Sequence, residues 1–111
     1  RIVIGAARRG ATGVGVDIDP GQIRLANAAA AAAKVSDRVR FLVTDLFSLD
    51  IRDATVVSLY LGEEVNEKLM PRLRSELKCG TRIVSHEFSM GSWEPEKKIW
   101  VGGRALYRWI I

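Results

Sequence analysis

Apolar residues recur along the chain at helical spacing in some stretches and in short dense runs in others. The alternation of the two sets the expected order of elements. Ile2, Val3, Ile4, Ala6 and Ala7, closed by Arg8 and Arg9, read as the second half of a helix that Gly10 ends. Thr12 to Ile18 (TGVGVDI) is short, apolar and bounded by polar residues, the pattern of a buried parallel strand. Asp19-Pro20 opens a second helix: Asp19 can cap, Pro20 fits the first helical position, and Gln22 stands where a capping box needs it. Its apolar face begins at Ile23, Leu25 and Ala26 and continues through the alanine run that ends at Lys34. Arg38 to Val43 (RVRFLV) and Ala54 to Leu61 (ATVVSLYL) predict two further strands. Val65, Leu69, Leu73 and Leu77 recur every four residues and predict a helix over 63–77, which Pro71 should divide or kink. Thr81 to Phe88 (TRIVSHEF) is the next strand. The chain closes on Lys97 to Val101 and Arg104 to Ile111, two strand-like runs joined by Gly102-Gly103, a two-residue hairpin turn.

This order predicts an α/β fold, a doubly wound and mostly parallel sheet followed by a C-terminal antiparallel hairpin, in a single domain over 1–111. Composition agrees: 48% of the 111 residues are hydrophobic, enough for a real core. No stretch approaches the ~20 apolar residues of a membrane span, so no membrane partner and a cytoplasmic location are expected. The first residue is Arg1 rather than Met, which suggests a partial or processed chain. Cys79 and His86 are the only residues of their types, so neither an internal disulfide nor a zinc site is expected, and no metal is assigned. The net charge of +4 comes from basic residues dispersed along the chain, so nucleic acid is open as a partner but not favoured.

Ligands of doubly wound sheets bind beyond the carboxyl ends of the strands. Asp17 ends the first strand there, and a carboxylate at that point can accept hydrogen bonds from the vicinal hydroxyls of a ribose. A strand-end turn residue is the plainer reading, and a NAD-binding domain would place an acid similarly. Asp45 follows the second strand in FLVTDLF. It can accept from an exocyclic amine while the Leu46 amide donates to a ring nitrogen, with Ile18 and Phe47 offering apolar faces to a base. Alone, Asp45 reads as a loop carboxylate; the succession of the two acids is the more specific signal.

GVGVDIDP, DRVRFLVTDLF, DATVVSLYL and LKCGTRIVSHEF together resemble the motif succession of class I S-adenosylmethionine (SAM)-dependent methyltransferases, over nearly the whole chain. The likeness is greatest to small prokaryotic methyltransferases related to protein-lysine methyltransferases. It implies S-adenosylmethionine as cofactor, ribose contact by Asp17, adenine stacking by Ile18, and adenine recognition by Asp45 with Leu46. It also implies that the segment after the third strand, Tyr60, Leu61, Gly62, Glu63, Glu64 and Asn66, lines the methyl-donor and acceptor pocket. Tyr60 is thereby a cofactor contact, and Tyr60, Glu63, Glu64 and Asn66 are the candidates for orienting an acceptor amine. A protein lysine leads as acceptor, with a small-molecule amine behind it.

The family opens with a strand and a glycine-rich turn leading straight into a helix. Residues 1–9 match that helix, so the strand and turn would precede residue 1, and Gly10, Gly13 and Gly15 lie at the wrong end of the sheet to replace them. Removing a central strand would separate its neighbours by roughly twice the ~4.8 Å strand spacing, so the chain is not expected to stand alone: further N-terminal sequence, a closing-up of the two halves, or another copy would complete the sheet. Two alternatives stand beside this reading: a dinucleotide-binding domain of an oxidoreductase, against which the terminal hairpin argues, and a non-catalytic methyltransferase-like chain. His86 reads as structural before catalytic. Trp100 and Trp109, with Tyr107, read as core residues of the hairpin, and Trp93 as the freer loop residue.

Overall fold

The computed structural model describes residues 2–59 and 61–111, in two compact units over 1–49 and 50–111. The first unit runs α1 (Ile2–Arg8), β1 (Gly13–Asp17), α2 (Pro20–Ala32), β2 (Val39–Val43) and a short 3₁₀ turn, Leu46–Ser48. The second runs β3 (Val56–Leu59), α3 (Glu63–Glu76), β4 (Arg82–His86), β5 (Lys97–Val101) and β6 (Arg104–Ile110). The order of helices and strands is the one the hydrophobic pattern predicts. The strands form two sheets: β1 pairs parallel with β2, and β3-β4-β6-β5 is a mixed sheet, parallel at β3–β4 and antiparallel beyond. β1 and β3 thus belong to different sheets.

In the first unit the core is Ile4 and Ala7 of α1, Ala30 of α2, Val35 and Val39, with Val3, Ala33 and Phe41 packed against it. β1 admits α1 closely because Gly13 has no side chain: a Cβ there would lie 2.5 Å from Cγ1 of Val3. Gly13→Ala should therefore destabilise by about 1–3 kcal/mol, since β-branched Val3 has little freedom to retreat; a lower urea midpoint at unchanged m-value is the expected readout.

The α2 signals hold at one end and differ at the other. Asp19 caps the helix, but its Oδ1 accepts from the Gly21 amide at 2.8 Å, two residues on, so the capping box expected with Gln22 is replaced by a tighter turn. No glycine ends α2. Lys34 takes the left-handed conformation (φ 60°), and the Val35 and Lys34 amides donate to the Ala30 and Ala31 carbonyls at 3.1 Å. Val35 and Ala30 are both buried, the apolar contact that accompanies this ending. Leu25, expected on the apolar face, is exposed; that face is Ile23, Ala26 and Ala30, spaced three and four apart.

In the second unit α3 runs unbroken through Pro71, where a break or kink is expected. Proline removes one bond, to the Glu67 carbonyl, but Leu69 and Leu73 on either side are buried. Each is worth ~1.5–3 kcal/mol of burial, comparable to the ~3 kcal/mol that the proline costs. Asn66 of α3 bonds Ser85 of β4, so α3 lies on the face that carries Ser85, Ile83 and, through the β4–β6 register, Tyr107 and Trp109. The hairpin forms as predicted, with Gly102 and Gly103 both at positive φ (57° and 78°), where a side chain would be strained.

Trp93 and Trp100 exchange roles relative to expectation, while Trp109 does not. Trp109 is buried, as expected of a hairpin core residue. Trp93 is held rather than free: its carbonyl accepts from Trp109 Nε1 at 2.9 Å, its ring lies 5.8 Å from that of Trp109, and Arg74 sits over it at 4.9 Å. Trp100, expected in the core, is 67% exposed, because β5 is the outer strand and Trp100 faces only Ala105 across the ladder.

Candidate functional site

The carboxyl ends of β1 and β2 lie side by side, since the strands are parallel and Asp17 pairs with Val43. The Thr44 amide donates to the Asp17 carbonyl at 3.1 Å, carrying the ladder one step past the strand and bringing Asp45 to the same end of the sheet. The two aspartates then do the same thing. Asp17 Oδ1 accepts from the Asp19 amide at 2.9 Å, and Asp45 Oδ1 accepts from the Phe47 amide at 2.9 Å. Each carboxylate is fixed by the amide two residues on, which is the turn chemistry natural to aspartate. Each keeps its second oxygen without a hydrogen bond among the described residues. The turn-residue and ligand readings of these acids are therefore compatible, because the turn engages one oxygen and leaves the other open.

Ile18 follows Asp17 and is 76% exposed, an apolar side chain left uncovered beside two carboxylates. Phe47 is also exposed at this end. Leu46 begins the 3₁₀ turn that Asp45 caps. The structure thus brings Asp17, Ile18, Asp45 and Leu46 together at one sheet end: two hydrogen-bond acceptors and an uncovered apolar surface, groups complementary to the hydroxyl and amine donors and the flat face of an adenosine.

The remaining candidates belong to the second unit. Tyr60 lies outside the described residues. Glu63 and Glu64 occupy the first turn of α3, where the helix dipole favours anions. Glu63 Oε1 accepts from Ser89 Oγ at 3.0 Å, and Glu64 pairs loosely with Lys68 at 3.7 Å. Asn66 is fully buried. Its Nδ2 donates to Ser85 Oγ (3.1 Å) and to the carbonyls of Phe88 (3.3 Å) and Ser89 (3.1 Å), while Ser85 Oγ donates to the Phe88 carbonyl at 2.6 Å. Its Oδ1 is buried without a partner among the described residues. Asn66 therefore ties α3 to the turn after β4, where Glu87 adopts a left-handed φ of 69°. Asn66→Ala should cost about 2 kcal/mol, measured by urea unfolding, as three acceptors lose a shared donor. Ser85 and Ser89 form this network and carry no motif: a serine in a strand and one in a loop look ordinary until α3 is placed over them. His86 Nε2 lies 3.2 Å from Ser58 Oγ across the β3–β4 pair.

Among the described residues no three His, Cys, Asp or Glu side chains gather as a metal cluster, and no helix is long and apolar enough to cross a membrane.

Strand-end acids on adjacent strands of a βαβ unit, followed by a mixed sheet closing on an antiparallel hairpin, are the features of a class I methyltransferase-type fold. The family model described as ANTKMT methyltransferase domain matches residues 1–97, and the chain belongs to that family. It is 43% identical over 101 residues to a protein-lysine N-methyltransferase of Saccharolobus islandicus, covering 89% of this chain and 63% of that protein. It is 33% identical over 96 residues to the adenine nucleotide translocase lysine N-methyltransferase of Mus musculus, covering 86% of this chain and 42% of that protein. The chain thus spans only part of the length of these curated relatives. A solved structure described as an RNA methyltransferase from Salinibacter ruber in complex with S-adenosyl-L-homocysteine superposes with a TM-score of 0.96 at 50% identity, over all of this chain and 73% of that one. A conserved hypothetical protein of Streptococcus pyogenes shares the fold at a TM-score of 0.66 and 13% identity. Membership of this family removes the oxidoreductase alternative: an acid at the end of a first strand is common to both folds, and the whole motif succession decides between them.

Proposed function

We propose that this chain is the cofactor-binding part of a SAM-dependent methyltransferase whose acceptor is a protein lysine. The observation that carries the donor half is the pair of strand-end aspartates, each with Oδ1 held by a turn amide and Oδ2 open, flanking exposed Ile18. In this reading Asp17 accepts from the ribose hydroxyls, Asp45 accepts from the adenine amine, the Leu46 amide donates to a ring nitrogen, and Ile18 covers one face of the base. The described residues fit the adenosine portion of the cofactor on these grounds. The relative from Salinibacter ruber, bound to S-adenosyl-L-homocysteine, supports the choice.

The bound cofactor would supply an electrophilic methyl group on a sulfonium. Such a transfer asks the protein chiefly for proximity and in-line alignment. It also asks for a neutral amine, and Tyr60, Glu63 and Glu64 are the residues we assign to orienting it. Asn66, being buried, acts through the turn after β4 rather than by touching the amine. The lysine N-methyltransferases among the relatives support a lysine acceptor, whereas the description of the Salinibacter ruber protein keeps RNA as the competing one.

The test is incubation with methyl-tritiated S-adenosylmethionine in the presence of a mixed protein fraction and, separately, total RNA. Label recovered as methyl-lysine after acid hydrolysis is the expected result. Label in RNA alone would overturn the acceptor assignment. Neither label nor binding of S-adenosyl-L-homocysteine would favour the non-catalytic reading.

A further inference from the structure

β5 is the outer strand of the four-stranded sheet, bonded on one side to β6 and on the other, among the described residues, to no strand. All five of its residues are exposed, and three in succession are large and apolar: Ile99 at 43%, Trp100 at 67% and Val101 at 56%. Open N–H and C=O groups along such an edge are a template for pairing, which proteins ordinarily blunt with charge, bulges or proline. Here Lys97 and Lys98 sit at one end and leave the apolar half bare.

We propose that β5 pairs antiparallel with β5 of a second copy of this chain, joining two four-stranded sheets across a two-fold axis. The strand's own sequence selects the register. Opposed side chains in a regular antiparallel pair share a face, so a two-fold axis normal to the sheet must pass through a residue rather than between residues. Centring on Lys98 sets that lysine against its own copy, and like charges directly opposed are destabilising. Centring on Trp100 sends Lys97 and Lys98 past the strand, opposite Gly103 and Gly102 of the turn, and leaves three pairs. Centring on Ile99 pairs all five residues: Ile99 with itself, Lys98 with Trp100, and Lys97 with Val101. No lysine then opposes a lysine.

Within one chain Lys98 Nζ already lies 5.0 Å from the Trp100 ring and 5.3 Å from the Tyr107 ring. In this register the second copy's Trp100 faces the same ammonium, the geometry of a cation–π contact, while the lysine stems lie along apolar neighbours. A nucleic-acid strand is the weaker occupant: the two arginines of β6 are committed to acids, Arg108 to Glu96 at 2.8 Å and Arg104 to Glu87 at 3.7 Å, which halves the positive charge of the hairpin. Five pairs at ~3.4 Å per residue make an edge only ~17 Å long, and a contact one strand wide and that long buries less than a standard interface of ~1,600 Å², so the dimer is weak and concentration-dependent. This inference is independent of the proposed chemistry.

Sedimentation equilibrium on the chain between about 1 and about 300 µM tests it, with two variants at the axis, Ile99→Lys and Ile99→Glu. Position 99 is partly exposed, so both should fold, as far-UV circular dichroism will show. The expected mass for wild type rises toward twice that of the chain. Each variant alone stays monomeric, and an equimolar mixture of the two dimerises again, because residue 99 opposes itself only in this register. A wild type that stays monomeric throughout, variants that dimerise as wild type does, or a mixture that remains monomeric would each overturn the proposal. So would a monomeric wild type that instead binds anionic vesicles or an oligonucleotide through Trp100.

Discussion

Trp109→Ala should destabilise the second unit by about 3–5 kcal/mol, the range for emptying a buried indole site. Trp109 is among the largest fully buried side chains, and it is the point where three segments meet. Through the β4–β6 ladder it opposes Ile83, itself fully buried. Its Nε1 donates to the Trp93 carbonyl, and its ring packs 5.8 Å from Trp93 and 6.1 Å from Tyr107. Truncation thus opens a cavity and also orphans a carbonyl in the 87–96 loop. Against a domain stability of ~5–15 kcal/mol that loss is a large fraction. Trp109→Phe separates the two contributions: it keeps most of the volume and loses the donor, so about 1–2 kcal/mol is expected. Trp100→Ala, at the exposed position two residues from the hairpin turn, should change the monomer's urea midpoint little.

Asp17→Ala should weaken binding of S-adenosyl-L-homocysteine by about 100-fold in calorimetric titration, the equivalent of ~2.8 kcal/mol. Hydrogen bonds to a charged acceptor are worth ~1.5–3 kcal/mol, and the open Oδ2 is the atom placed to accept them. The same substitution removes the bond from the Asp19 amide, so a stability loss of ~1 kcal/mol is expected alongside. Asp19→Ala supplies the control. It removes a comparable turn bond, from Gly21, without removing a ligand acceptor. It should cost similar stability and leave affinity within a few-fold of wild type. Equal affinity losses in both variants would mean that turn geometry, not the Asp17 carboxylate, carries the effect.

Much of the fold is legible along the chain because its strands are short β-branched runs and its helices begin on unambiguous signals such as Asp19-Pro20. The departures share a cause: tertiary packing outweighs local preference. Pro71 forbids one hydrogen bond, but Leu69 and Leu73 bury on both sides of it and the helix continues. Lys34 takes a conformation usual for glycine because Val35 gains a buried place by it. Leu25 reads as apolar-face by type, yet the face is set by the spacing of Ile23, Ala26 and Ala30. Trp93 and Trp100 cannot be sorted by period: burial of a loop residue or of an outer-strand residue depends on whether another element reaches it, which no local pattern records. The strand-end acids were legible as positions. Their common device, one oxygen locked by a turn and the other left open, is a matter of backbone geometry and emerges only in three dimensions.

In the proposed function the ends of β1 and β2 bind the adenosine portion of the methyl donor. A two-dimensional ¹⁵N–¹H titration of the chain with S-adenosyl-L-homocysteine tests it most directly, because the amides of Asp19 and Phe47 are hydrogen-bonded to the two carboxylates in question. Saturable shifts concentrated at residues 17–19 and 45–47, unmatched by NAD at the same concentration, are the predicted result. Saturable binding that leaves both segments unmoved, or no binding at all, would contradict it.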